Sequence, residues 1–275
     1  MPQRPANRWM LPPCEGPTLG RFLHHNASIQ WLERLDANDE GELSTHGCVF
    51  RVLIKGKEYA IKVFKFYDPM STNYFWGPIL GEDTPLDTVA FYTDPFYAEC
   101  RAYGRIQEEV KRKRLSNDIA VPCHGYLFLR EEDQNVLDER KIELELWNVD
   151  MDYQTSTPGG CKPRAIVKDI APTDTGVNSD SLERILRNLT RLNKQGIYNM
   201  DIRKDNYCAG RLVDFGSSWT EPHMILDACN ARQSYASRAA DRAMFDEMVR
   251  EEEIPNPKDV KAIHAMKRRS QVVRG

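Results

Sequence analysis

Three side chains that can bind a metal ion or a charged ligand lie close together in the segment NMDIRKDNYCAGRLVDFGSSW, residues 199–219. Asp201, Asn206 and Asp214 fall within fourteen residues, and an Asp-Phe-Gly sequence ends at Gly216. Carboxylate and amide oxygens are ligands that hard cations such as Mg²⁺ prefer. The pattern therefore indicates a site for a charged ligand and its metal ion.

The same residues also have a purely structural interpretation. Asp201 and Asp205 could cap turns, and Asp214 could hold a loop through backbone amides. Other polar and aromatic candidates are interpreted as ordinary surface or core residues: His46, His124, Trp147 and Trp219.

A predicted β-hairpin lies upstream of this segment. The β-rich runs CVFRVLI and EYAIKVFKF flank a Lys-Gly-Lys turn, and this pattern places Lys62 inside a strand. Residues 24–35, which precede the hairpin, are predicted to be either a short helix or an extended lead-in. Residues 67–93, with three prolines, are predicted to be an irregular insertion.

Two helices are predicted with clear ends. Asp94 as N-cap and Pro95 in the first turn begin one helix. Its apolar stripe consists of Phe96, Cys100, Tyr103 and Ile106. The other helix begins with a capping box formed by Asp180 and Glu183 and ends at Gly196. Its apolar face consists of Leu182, Ile185, Leu186, Leu189 and Leu192.

Further extended segments are predicted around these helices. Residues 120–129 and 141–149 are predicted to form strands around an acidic loop, and residues 164–170 a fifth extended piece. The short distance between the amide and carboxylate candidates requires a tight hairpin that turns at Ala209-Gly210. A polar, helical tail is expected after it.

Composition and charge exclude several classes of protein. The 275 residues are 41% hydrophobic with a net charge of −3, which fits a soluble globular protein and gives no overall attraction to nucleic acid or membrane. Seven cysteines without a C-x-x-C pair argue against a zinc site or a disulfide framework and favour an intracellular compartment. No apolar run is long enough for a signal peptide or a membrane span. Basic runs at 111–114 and 267–269 are interpreted as solvated faces, or as import or phosphate-contact signals.

Three motifs resemble those of protein kinases. The run YAIK, which ends at Lys62, resembles the V-A-I-K strand; residues 201–206 resemble the catalytic loop D-x-K-x-x-N; and residues 214–216 are a D-F-G. All three lie in the expected order and local settings. The resemblance covers roughly residues 40–220 and implies an α+β, two-lobed protein kinase-like fold.

On this resemblance the chain divides into three parts. Residues 1–20 are predicted to be a poorly ordered tail, and residues 21–170 a β-rich N-lobe that carries the insertion at 67–93. Residues 171–275 are predicted to form a shortened, mainly helical C-lobe. The segment after D-F-G lacks an A-P-E motif and is too short for a complete peptide-docking platform.

The resemblance also implies catalytic and metal-binding roles. Asp201 would orient or deprotonate the acceptor hydroxyl, and Arg203 stands where kinases carry the catalytic-loop lysine. Asn206 and Asp214 would bind Mg²⁺.

Nucleotide binding is expected at the hairpin. Lys62 would contact the phosphates of ATP, with Glu99 as its ion-pair partner or Glu108 or Glu109 in its place. The other predicted nucleotide-binding residues are Gly47, Val49 and Ala60.

Several positions depart from the kinase pattern. In GELSTHGCVF the first two glycine positions become Glu42 and Ser44, although a one-residue shift would use Gly41. Asn199 stands two residues before Asp201, where kinases usually carry histidine. The resemblance therefore supports the fold more firmly than an activity.

A second resemblance is more specific and spans most of the chain. The phrases PFYAECRAYGRI, VPCHGYL and DIRKDNY…LVDFGSSWTEPH are similar to fungal kinase-like proteins that are labelled as an Fta-type inner-kinetochore subunit. This resemblance implies an intracellular protein of the nucleus or the cytoplasm.

These patterns leave three functions open. The first is an ATP- and Mg²⁺-dependent phosphotransferase with a small-molecule or protein acceptor. The alternative is a pseudokinase that acts as an interaction module with protein partners in a nuclear, kinetochore-type assembly. The third is a kinase fold repurposed in fungal secondary metabolism. Neither membrane association nor direct nucleic-acid binding is expected.

Overall fold

The computed structural model describes residues 15–36, 46–67, 84–145, 149 and 162–262, and it is a mixed α/β structure with a sheet-rich N-terminal part. The strands are β1 (Ile29–Arg34), β2 (Gly47–Ile54), β3 (Lys57–Phe64), β4 (Cys123–Phe128), β5 (Arg164–Lys168), β6 (Ile197–Tyr198), β7 (Tyr207–Cys208), β8 (Arg211–Leu212) and β9 (Trp219–Thr220). The helices are α1 (Leu86–Thr93), α2 (Pro95–Lys111), α3 (Glu131–Glu139), α4 (Leu182–Lys194), α5 (Met224–Ala228) and α6 (Ala231–Glu251). No helix among these residues has both the length and the apolar character that crossing a bilayer requires.

Five strands form one antiparallel sheet in the order β1-β2-β3-β5-β4. The predicted hairpin is β2 and β3, and its turn has φ values of 51° at Lys55 and 77° at Gly56. Two positive φ values in succession are typical of the tight turns that match the twist of paired strands. The extended alternative for residues 24–35 is the one observed, as β1.

The pairing of β3 with β5 brings two lysines onto one face of the sheet. Ala60 lies opposite Lys168, and Lys62 lies opposite Ile166. Directly opposed side chains on neighbouring strands point to the same face. Lys62 and Lys168 therefore project toward the same neighbouring elements.

Helix α2 packs against this face as its sequence predicts. The Asp94 carboxylate accepts a hydrogen bond from the Phe96 amide at 2.8 Å, which is the predicted N-cap. The four residues of the predicted apolar stripe are all buried. Burying a side chain of this size contributes about 1.5–3 kcal/mol, so the stripe fixes the face that α2 presents to the sheet.

Helix α4 has the predicted apolar face but a different beginning. Leu182, Ile185, Leu189 and Leu192 are buried, and Leu186 is partly buried. The capping box of Asp180 with Glu183 is wrong, because the N-cap is Ser181. The Asn178 side chain accepts hydrogen bonds from the Asp180 and Ser181 amides and so replaces the predicted cap. Gly196, at φ 70°, closes the helix as predicted.

Three local predictions differ from the structure. Within the predicted insertion, residues 68–83 lie outside the described residues. Leu86–Thr93 forms helix α1, because Val89, Ala90 and Phe91 supply apolar surface that becomes buried. The predicted acidic loop is helix α3, which buries Leu137. No strand forms over residues 141–145, because the positive φ values at Lys141 and Glu145 are incompatible with an extended chain.

The C-terminal part confirms two shorter predictions. Strands β7 and β8 form the tight hairpin, which turns at Ala209 (φ 48°) and Gly210 (φ 72°). The polar tail is helical in α5 and α6. At the other end of the chain, residues 1–14 of the predicted tail lie outside the described residues, while Leu19 is buried and its amide donates to the Cys100 carbonyl at 2.9 Å.

Candidate functional site

The centre of the candidate site is Lys62 on β3. Its ammonium Nζ lies 3.0 Å from Glu99 Oε2 on α2 and 2.7 Å from Asp214 Oδ1 in the Asp-Phe-Gly segment. The lysine side chain is 5% exposed, and the Glu99 side chain is fully buried. The fold therefore brings together three predicted residues that are far apart in sequence, whereas Glu109 pairs with Arg112 near the end of α2.

A second lysine, which the sequence analysis missed, completes this group. Lys168 at the end of β5 contacts Glu99 Oε1 and donates a hydrogen bond to the Val213 carbonyl at 2.6 Å. It is 7% exposed, and its Nζ lies 5.3 Å from the centre of the Tyr103 ring. The signal that could have identified it is a charged residue at the end of the otherwise apolar run AIVK.

We call Lys62, Glu99, Lys168 and Asp214 the ion cluster. Burial disfavours the charged form of Lys62, but the Asp214 and Glu99 carboxylates outweigh this effect and raise its pKa well above the usual value. Burial likewise opposes ionisation of Asp214, yet Lys62 and Lys168 hold the pKa of its carboxyl well below the usual range. Two cations and two carboxylates give the cluster no formal net charge.

The predicted catalytic loop lies next to the ion cluster. Asp201 Oδ2 accepts a hydrogen bond from the Asn206 side chain at 2.8 Å, and the same side chain donates to the Asp201 carbonyl at 2.8 Å. Arg203 Nε lies 3.4 Å from Asp201 Oδ1, with 64% of the arginine side chain exposed. Asp201 therefore has a polar partner at each carboxylate oxygen, and 34% of its side chain remains exposed.

A buried carboxylate on α6 holds this loop in place. Asp241 is 0% exposed and accepts hydrogen bonds from the Asn199 amide at 2.9 Å, the Met200 amide at 2.8 Å and the Asn193 side chain at 2.7 Å. Burial raises the pKa of Asp241, although the two backbone amides favour its ionised form. Because Met200 has a φ of 64°, these contacts also stabilise an uncommon backbone conformation.

Asn199 connects the loop to the Asp-Phe-Gly segment. Its side-chain amide donates to the Asp214 carbonyl at 2.7 Å, and its side-chain oxygen accepts from the Asp201 amide at 3.2 Å. Asn199 therefore positions the loop relative to the Asp-Phe-Gly segment.

The Asp-Phe-Gly segment is fixed on both sides. Phe215 is 0% exposed, and its ring centre lies 5.1 Å from that of Tyr103 on α2. The Gly216 amide donates to Asp214 Oδ1 at 2.7 Å. A Cβ at Gly216 would lie 3.2 Å from His46 Nδ1, so this histidine belongs to the site and was not identified from the sequence. Burial, followed by the charge of Lys62, lowers the pKa of His46.

The remaining predicted nucleotide-binding residues line β2 and β3. Val49 pairs with Lys62, and Ala60 is buried on the same strand as Lys62. A Cβ at Gly47 would lie 2.2 Å from the Val63 carbonyl oxygen, so close packing of the two strands already explains a glycine there. The other glycine-loop positions, Gly41, Glu42 and Ser44, lie outside the described residues.

Two side-chain oxygen atoms at the site are available to a metal ion. Asp214 Oδ2 has no hydrogen-bond partner within the described part of the chain, and 27% of the Asp214 side chain is exposed. The side-chain oxygen of Asn206 is likewise without a partner there. No group of three or more His, Cys, Asp or Glu side chains among the described residues could hold a metal ion by itself. Mg²⁺ commonly uses one or two protein oxygens together with substrate phosphates.

Comparison with known proteins identifies a family. The model of the family described as Kinetochore Sim4 complex subunit FTA2 matches residues 8–219, which is more than half of the 275-residue chain. No curated protein matches the chain. The matched range contains the whole ion cluster and ends before Asp241. The chain therefore belongs to the Kinetochore Sim4 complex subunit FTA2 family.

Proposed function

We propose that this chain is a protein-interaction subunit of a kinetochore assembly in the nucleus. The observation that carries this proposal is the family match over residues 8–219, because the family is described as a subunit of a kinetochore complex. The interaction module weighed from the sequence is therefore favoured over the phosphotransferase.

The ion cluster supports a mainly structural role for the candidate site. Both lysines have their charge balanced inside the protein, and the cluster links β3 and β5 to α2 and to the Asp-Phe-Gly segment. Contact between Lys62 and a phosphate would compete with carboxylate contacts at 2.7 and 3.0 Å. Removing one partner of a buried ion pair typically costs about 3–5 kcal/mol. The cluster is well suited to hold a surface for partners in a fixed shape.

The test of this proposal is localisation in cells. A fluorescent fusion of the full chain is expected to form nuclear foci that coincide with a centromere marker. The Asp201→Ala variant should form the same foci, since an interaction subunit does not need a catalytic carboxylate. A diffuse cytoplasmic signal from the wild-type fusion would refute the assignment, and loss of foci only in Asp201→Ala would indicate an enzymatic role.

We infer nucleotide binding, with phosphotransfer to a small-molecule or protein acceptor, as a second candidate function in a protein kinase-like fold. The specific observation that favours it is the ion pair between Lys62 on the third strand and Glu99 on α2, the second helix described after that strand. Protein kinases need this pair, together with an Asp-Phe-Gly carboxylate that binds Mg²⁺. Lys62, Glu99 and Asp214 have this arrangement.

In this second function the chain's own residues would act by position and charge. Lys62 would contact phosphate oxygens while Glu99 orients its ammonium. The free Asp214 oxygen and the Asn206 amide oxygen would hold Mg²⁺, which supplies charge neutralisation at the phosphates. Asp201 would accept a hydrogen bond from the acceptor hydroxyl, in place of its contact with the exposed Arg203.

A thermal-shift titration with Mg²⁺·ATP tests nucleotide binding. A ligand at 100 times its dissociation constant stabilises the folded state by about 2.7 kcal/mol, so wild type should unfold at a higher temperature and Asp214→Asn should not respond. If wild type binds, phosphate transfer is compared between wild type and Asp201→Ala. A wild-type protein that shows no shift at any concentration would rule out this second function.

A further inference from the structure

A groove of about 380 Å³ runs along α4, beside its buried stripe. Leu186 and Thr190 of α4 line it together with Val260 of the segment after α6. Leu186 and Val260 are both only partly buried, so the groove offers apolar contact area to a ligand.

Three cations follow the same groove. Arg187, Arg191 and Lys194 line it and are exposed. Residues three and four apart lie on one face of a helix, about 5–6 Å from each other. Within the described part of the chain, none of the three forms an ion pair or a hydrogen bond. By contrast, Arg112, in the basic run at the end of α2, pairs with Glu108 at 2.6 Å.

The segment that carries Val260 is held by specific contacts. Lys258 Nζ lies 3.4 Å from Glu183 Oε1 at the start of α4. Asn256 and Val260 exchange two hydrogen bonds of 2.9 Å, and the Ala262 amide donates to an Asp246 carboxylate oxygen on α6 at 2.7 Å. The segment that carries Val260 is therefore fixed to α4 and α6, and the three cations of the groove are exposed.

We propose that this groove, named the α4 groove, docks an acidic amphipathic segment of a partner protein. The proposal rests on the assignment as an interaction subunit. Apolar side chains of the partner would cover Leu186 and Val260, while carboxylates one helical turn apart would pair with Arg187 and Arg191. An amphipathic helix with apolar anchors at three- and four-residue intervals is a common ligand of such grooves.

The charge of the α4 groove favours one class of ligand over the others. Residues 263–275 of this chain contain four Lys or Arg residues and no acidic residue, so like-charge repulsion disfavours them as the ligand. Nucleic acid is disfavoured because phosphates would leave the apolar groups of Leu186 and Val260 uncovered, and DNA-binding surfaces usually carry many phosphate-contacting cations. Glu183, the carboxylate in the lining, already pairs with Lys258. An acidic partner with apolar anchors matches both properties of the groove.

The experiment measures binding of a synthetic peptide to the full chain by fluorescence anisotropy. The probe is a labelled helical peptide of about fifteen residues, with leucine on one face and flanking glutamates at intervals of four residues. The groove variant carries Arg187→Glu, Arg191→Glu and Lys194→Glu. The control variant carries Lys55→Glu, Lys111→Glu and Lys113→Glu, which make the same charge change at exposed positions elsewhere.

We expect the groove variant to bind the peptide at least about tenfold more weakly than wild type, because rim pairs of up to about 1 kcal/mol each are lost and replaced by repulsion. The control variant should stay within about twofold of wild type, because surface charges remote from a binding site mainly alter long-range screening. A second variant, Val260→Asp, removes apolar contact and adds a like charge, and should also weaken binding severalfold.

Four results would overturn the proposal. These are no binding of the peptide to wild type, equal losses in the groove and control variants, stronger binding of a short DNA duplex through the same three cations, and peptide binding only after residues 263–275 are deleted. Centromere foci of the wild-type fusion separate this test from the kinetochore assignment itself. Foci of wild type without peptide binding would remove the groove but keep the kinetochore assignment, whereas absent wild-type foci would remove the assignment.

Discussion

At the scale of single residues, Lys168 distinguishes this site from a simple lysine–glutamate pair. Glu99 is shared by two ammonium groups, and Lys168 also satisfies the Val213 carbonyl directly before Asp214. The buried glutamate would therefore keep one cation if Lys62 moved toward a ligand. This sharing makes the position of α2 less dependent on Lys62 than a single ion pair would.

Replacing Lys168 tests how much the shared contact stabilises the fold. We expect Lys168→Met to lower the free energy of unfolding by about 3 kcal/mol, the low end for breaking a buried pair, because Lys62 still neutralises Glu99. Urea-induced unfolding followed by circular dichroism measures the difference. Lys55→Met, at an exposed turn, should change stability by less than about 0.5 kcal/mol.

A double-mutant cycle of Lys168→Met with Glu99→Gln shows whether the loss of stability comes from the ion pair. The combined loss should be smaller than the sum of the two single losses by about 0.5–3 kcal/mol. Additive losses would mean that Lys168 acts through its hydrophobic stem or the Val213 carbonyl alone.

At the scale of elements, local signals predicted the β2–β3 hairpin, α2 and α4. Each has a turn, a cap or an apolar period within its own sequence. Helix α3 was missed because its segment is acidic and contributes few apolar residues such as Leu137, while its cap depends on Arg130 and Asp133. The predicted box at the start of α4 failed because Asn178, outside the helix, accepts a hydrogen bond from the Asp180 amide, which the box would have paired with Glu183.

The hairpin also permits a test of the role assigned to Gly47. We expect Gly47→Ala to destabilise the protein by about 1–3 kcal/mol, because the new Cβ would lie 2.2 Å from the Val63 carbonyl oxygen and the strands must separate. Thermal unfolding measures the change. Gly20→Ala is the matched control, since no atom lies within 4 Å of its Cβ position. Unchanged stability with weaker Mg²⁺·ATP binding would instead assign Gly47 to a phosphate-binding loop.

At the scale of the whole molecule, motif order allowed prediction of a site that joins both halves of the chain. The sequence could indicate that Lys62, Glu99 and Asp214 belong together because their types and settings match a known pattern. It could not indicate Asp241, which lies 42 residues from Asn199 in a tail that looks uniformly polar. Tertiary packing decides which of the many carboxylates is buried, and no local periodicity in the sequence predicts it.

The position of Asp241 has a consequence for work with shorter pieces of the protein. A fragment that stops at residue 219, where the family match ends, would lose the acceptor for the Asn199 and Met200 amides. Each buried donor left without an acceptor costs about 1–3 kcal/mol. Such a fragment would retain the whole ion cluster but would hold the loop around Asp201 less firmly. If the fragment failed to bind a ligand, that result would therefore say nothing about binding by the intact chain.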